Sequence, residues 1–97
     1  MTAQESIEIS TRRSGEMHEI TAQVQDIVKR SGVRTGIAHV FNVGSTASIG
    51  TIEYEQGLVH DLPNELNRLL PPGTHYGHEA AWHDGNGHSH LQATIMG

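Results

Sequence analysis

The chain has 97 residues, enough for one domain at most. Six Lys and Arg against eleven Asp and Glu give a net charge of −5, which argues against general nucleic-acid binding because that requires phosphate neutralisation. There is no cysteine, no apolar stretch of membrane-spanning length and no apolar signal region in residues 1–10, so the expectation is a cytoplasmic protein without disulfides or membrane contact.

Apolar residues are 35% of the chain, with one Trp, one Phe and two Tyr, so the core is expected to be aliphatic and helped by burial in an oligomer interface. In chain order, residues 6–11 alternate apolar and polar, the pattern of a half-buried strand. A turn follows at 12–16. Ile20, Val24, Ile27 and Val28 then recur at helical spacing, with Thr21 as the expected N-cap, Lys29 and Arg30 in the last turn and Gly32 just beyond. Residues 37–43 and 47–53 read as strands, with Gly44, Ser45 and Thr46 as a bulge or bend between them. A second helix ends at Leu70, with Asp61 as its expected cap, Pro63 in its first turn and Leu62, Leu66, Leu69 and Leu70 as its buried stripe. Pro71, Pro72 and Gly73 terminate it. A final strand is expected from His90 to Met96. Strand, helix, two strands, helix, strand is an α+β order.

The chemistry concentrates between that second helix and the final strand. Five of the eight histidines lie there: His75, His78, His83, His88 and His90. In extended chain His88 and His90 share a face, roughly 6–7 Å apart at the backbone, and two neutral imidazoles at that separation can converge on one zinc-sized ion. The loop from Tyr76 can fold His78 back over them. With no thiolate available, the ligands must be imidazole, carboxylate and water, which suits a catalytic or exchangeable ion. The competing reading is a solvated polar loop, since a His-rich tract is a compositional cue only. A purification tag fits poorly, because Glu79, Trp82, Asp84 and Asn86 are interleaved. His39, inside an apolar run, reads as a core histidine. His75 and His83 read as solvated or supporting residues.

Several stretches together resemble the YjbQ-like family, some members of which are described as secondary thiamine-phosphate synthases. The resemblance runs from Ile7 onward. It is carried by Ser31-Gly32 with Gly36, Ile37-Ala38-His39-Val40-Phe41, Ser45-Thr46-Ala47-Ser48, Ile52-Glu53 and Tyr76-Gly77-His78. Its most specific part is Asp84-Gly85-Asn86-Gly87-His88-Ser89-His90-Leu91. Two departures stand out: Gly44 occupies the place where many members have a histidine, and members continue through further strands past the position of Gly97. The resemblance therefore implies a single YjbQ-like domain over 1–97, incomplete at its C-terminus, with packed β-sheets, two helices and a homotrimeric assembly.

It further implies a metal held by His78, His88 and His90, with His78 and His90 matching family histidines and His88 a narrower branch. Glu53 matches a family acid, and Glu53 and His78 are the implied catalytic pair. Ser45, Thr46 and Asn86 would offer donors to phosphate. The implied reaction joins a pyrimidine-methyl diphosphate to a thiazole phosphate and expels diphosphate, work that needs charge neutralisation and alignment of the partners. The cofactor is expected to be zinc, with magnesium as the alternative for a diphosphate substrate, and the partner a small phosphorylated metabolite. Two other functions remain open: zinc-dependent hydrolysis, and a non-catalytic subunit binding metal or a small ligand.

Overall fold

The structure, a computed structural model, describes residues 1–73 and 75–97. The chain forms two compact units, Met1–His39 and Val40–Gly97. Four helices occur among the described residues: α1 (Thr21–Ser31), α2 (Gln56–Leu69), α3 (Gly77–Trp82) and α4 (Gly87–Met96).

The first unit is built around α1. Ile20, Val24 and Ile27 form its half-buried stripe, as their spacing predicts, while Val28 stays 41% exposed. Thr21 does not cap this helix. Ile20 holds the cap position, with no side-chain bond to the first turn. The other end is as expected: Gly32 turns left-handed at φ 75° and its N–H reaches the Lys29 carbonyl, a conformation a Cβ would strain. Before the helix, Gly15 at φ 80° turns the chain, and Glu16 accepts the Arg12 and Arg13 N–H groups at 2.7 and 3.2 Å.

The second unit holds α2, α3 and α4. Helix α2 begins six residues earlier than Asp61 as its cap would allow, because the Glu55 carboxylate accepts from Gly57 N and Leu58 N, both at 2.7 Å. Pro63 consequently lies inside the helix, where it has no N–H to give the preceding turn. Leu58, Val59, Leu62, Leu66 and Leu70 are half-buried, but Leu69 is 61% exposed. Gln92 of α4 ties back to α2, donating to the Asn67 side chain at 3.0 Å and to the Leu70 carbonyl at 2.8 Å.

The expected α+β fold of packed β-sheets is not present. No strand exists among the described residues, and residues 6–11, 37–43 and 47–53 run without a ladder. Alternation marks a chain that could be a strand, but a strand is completed only by a neighbour that takes its N–H and C=O groups. The expected final strand is helix α4. Its run of apolar and small residues fits either period. In the helix, His88, Gln92 and Met96 fall on one face with Ser89 and Ala93 beside them, all buried or half-buried, as are Gly87 and His90 in the first turn, while Leu91, Thr94 and Ile95 are exposed. No helix among the described residues is long and apolar enough to cross a membrane.

Candidate functional site

The segment from Tyr76 to His90 is folded by its own backbone and one carboxylate. Tyr76 is anchored by its hydroxyl, which donates to the Pro71 carbonyl at 2.7 Å. Its own carbonyl accepts the Glu79 N–H at 3.0 Å, opening α3. The short helix closes at His83, a non-glycine residue in the left-handed region at φ 58°, whose N–H returns to the Glu79 carbonyl at 3.1 Å. Glu79 is itself buried, 7% exposed, and its carboxylate accepts Gly85 N at 2.7 Å and Gly87 N at 3.2 Å. Both glycines are needed as such. Gly85 sits at φ 73°, and a Cβ on Gly87 would stand 2.9 Å from the Tyr76 Cβ.

This folding brings three of the polar side chains together. His78 Nε2 lies 3.1 Å from Asp84 Oδ1, and the His78 and His90 rings are 4.6 Å apart between centroids, inclined by 52°. His88 stands apart in character: 7% exposed, its Nδ1 without a hydrogen-bond partner, its Nε2 3.4 Å from the Ser89 hydroxyl. Since residues 88 and 90 are helical, their side chains leave the axis roughly 200° apart, and the shared strand face on which their convergence rested does not exist. Among the described residues, no three His, Asp or Glu side chains are arranged to hold a metal ion. What does fit is a half-site. Asp84 on Nε2 leaves His78 Nδ1 for coordination, the carboxylate–imidazole support common behind metal ligands, and the His90 ring lies beside it. The neighbouring surface is an open depression lined by Tyr76, Glu79, Ala80, His83, Asp84 and Gly85.

A family model described as UPF0047 protein YjbQ-like matches residues 5–97. The chain belongs to the YjbQ-like family. It is 36% identical over 93 residues to a UPF0047 protein of Methanothermobacter thermautotrophicus, covering 96% of this chain and 64% of that one. A UPF0047 protein of Archaeoglobus fulgidus is 32% identical over 89 residues, covering 92% and 67%, and one of Methanocaldococcus jannaschii 28% over 91 residues, covering 93% and 63%. The chain thus spans 63–67% of the length of these YjbQ-like relatives. No solved structure matches it.

In this YjbQ-like chain the other expected site residues lie on irregular backbone. Ser45, Thr46 and Glu53 are all exposed. The bend at Ser45 and Thr46 is shaped by Asn42, whose side-chain amide donates to the Gly44 and Ala47 carbonyls, each at 3.2 Å. Asn86 is half-buried just before α4, its carbonyl accepting Ser89 N and His90 N at 3.0 and 3.2 Å and its Oδ1 buried without a partner. His75 and His83 are exposed, as expected. His39 is exposed too and is no core histidine, because the run around it does not pack. Sequence reasoning offers Asp84 only as a base for zinc-dependent hydrolysis, not as the partner of His78, and it passes over Glu79 and Asn42. A readable sign was present for Glu79: the glycines at 85 and 87 bring backbone N–H groups into a tight turn, and such groups need a nearby acceptor.

Proposed function

We propose that the Tyr76–His90 segment is a divalent-metal site of the imidazole type that takes a small phosphorylated ligand. The observation that supports it is the pairing of the His78 and His90 rings, with Asp84 fixing the ring of His78. His88, buried and with an unpartnered Nδ1, is the third imidazole that the reading would recruit, and from its place in α4, on the other side of the helix from His90, it would have to move to join the pair. Imidazole donors favour zinc over magnesium. A bound divalent ion would supply positive charge against phosphate oxygens.

The chemistry proposed at this site is transfer of the thiamine-phosphate synthase kind, in which a thiazole nitrogen displaces diphosphate from a pyrimidine-methyl diphosphate. Ser45, Thr46 and Asn86 are the proposed phosphate donors, and Glu53 and His78 the residues that move or hold protons. Homotrimeric assembly in the cytoplasm belongs to the same proposal. The exposed positions of Ser45, Thr46 and Glu53 favour a second reading, a metal or small-ligand binding subunit without turnover.

Metal content decides the first step. His78→Ala and His90→Ala proteins are expected to lose zinc, while His75→Ala, altering an exposed side chain, keeps it. Affinity should fall as pH drops through about 6.5, where imidazole takes up a proton. Equal zinc in all three variants rejects the site. Diphosphate release from the two thiamine precursors by zinc-loaded protein then separates the transferase from the binding subunit, and phosphate release from simple esters marks a hydrolase.

A further inference from the structure

We propose that Glu79 is the positioning residue of this site: its buried carboxylate clamps the Gly85 and Gly87 amides and thereby sets where His78, Asp84 and His90 stand. The inference rests on the metal reading above for its consequence, but the clamp itself is a matter of geometry. Burying a carboxylate is costly unless its oxygens are satisfied. Here each oxygen takes one backbone N–H, Gly85 N on Oε2 at 2.7 Å and Gly87 N on Oε1 at 3.2 Å. Bonds to an ionised acceptor are roughly twice as strong as neutral ones.

The placement of those two amides matters. Asp84, the partner of His78, immediately precedes Gly85, and α4, which carries His90, begins at Gly87. His78 is the residue before Glu79 on α3. One carboxylate therefore fixes, through backbone, both sides of the contact between His78 and its neighbours. At 7% exposure, and with both carboxylate oxygens taken by backbone amides, Glu79 acts through the histidines and not on the reacting groups. The close seat of Gly87 against Tyr76, which a Cβ would prevent, keeps the α4 start within the carboxylate's reach.

The test uses the full chain and cobalt(II) as a visible probe of an imidazole site. Glu79→Gln keeps one acceptor but turns an N–H group toward a backbone N–H, and Glu79→Ala removes both acceptors. Helix content by circular dichroism is expected to persist in Glu79→Gln. Hydrogen exchange at Gly85 and Gly87 should accelerate, cobalt affinity should fall by about tenfold or more, and the cobalt absorption band should change shape. Glu65→Ala, on the exposed Arg68 pair of α2, should leave all of these as in the wild type. Wild-type cobalt affinity and spectrum in Glu79→Gln overturn the proposal, as does unchanged exchange at both glycines. If the wild-type chain binds no cobalt, the metal reading fails by itself. Positioning is then decided by the His78 and His90 imidazole nitrogen resonances: displaced in Glu79→Gln they support it, and unmoved they reject it. Should Glu79→Ala lose its helices, Glu79→Gln alone carries the decision.

Discussion

Glu16 shows how one half-buried carboxylate can organise a turn. The Arg12 backbone N–H is the chief cause holding its pKa below the usual carboxylate range, helped by the Arg13 N–H and the charges of His18 and Arg12 and opposed by partial desolvation. A carboxyl whose folded pKa is depressed contributes stability above its unfolded pKa, about 4.3, and loses it as pH falls through the folded value. The turn at residues 12–16 should therefore persist at neutral pH and loosen in acid. An NMR titration should place the Glu16 midpoint below that of an exposed glutamate, and Glu16→Gln should remove the acid-dependent shift of the Arg12 amide. A midpoint at the ordinary glutamate value counts against the turn. Arg30 is a parallel case on the basic side. Glu5, bonded at 2.6 and 2.8 Å, and then Asp26, at 2.8 Å, raise its pKa further and keep it charged at any working pH.

At the scale of elements, helix starts are decided by which side chain reaches the free N–H groups. Helix α2 begins at Gln56 because Glu55, in extended conformation at φ −131° and ψ 159°, satisfies two of them and sets its negative charge against the helix N-terminus. Gly57 makes room for it, since a Cβ there would lie 2.9 Å from Glu55 Oε1. Glu55→Ala should cost about 1 kcal/mol and fray the first turn, read as a lower urea midpoint by circular dichroism and faster amide exchange at Gly57 and Leu58. If exchange at those two amides stays slow, Asp61 or another group is the true cap. Helix α4 is held differently. Its start is fixed by the Asn86 carbonyl and its side by Gln92, whose two bonds reach Asn67 and the end of α2.

For the whole molecule, the decisive quantity is apolar surface. Among the described residues no apolar side chain is buried, while Ile37 is 97% exposed, Val43 89% and Phe41 74%. Leu91 and Ile95, one helical turn apart, present a second apolar strip on the open face of α4. Removing apolar surface from water is worth about 25 cal/mol per Å², so such a surface drives association when a matching one is available. The chain is expected to sediment at micromolar concentration as a species heavier than its 10.6 kDa monomer, in keeping with the proposed homotrimer. A well-folded monomer under those conditions would refute that assembly.

Membership of the YjbQ-like family was legible in the residues themselves, through the Asp84–Leu91 octet and the shorter motifs around it, since a family pattern is a property of residue order. Helix α1 and its glycine stop were legible for a local reason: a 3.6-residue stripe and a left-handed terminal residue are complete within eleven or twelve positions. The exposure of His75 and His83 was legible too, but helix α3 was not: it occupies Gly77–Trp82 within the stretch that reads as a loop. Sequence alone did not decide between strand and helix for residues 88–96, because a short run with apolar residues at 91, 93, 95 and 96 fits both periods. The choice fell to Gln92, Asn86 and the Glu79 clamp, contacts that exist only once the chain has folded. That choice in turn parted His88 from His90 and paired His90 with His78. The unpaired segments at 6–11, 37–43 and 47–53 teach the same lesson from the other side: alternation belongs to the sequence, but a sheet belongs to the partner that completes its hydrogen bonds, and only tertiary structure supplies or withholds that partner.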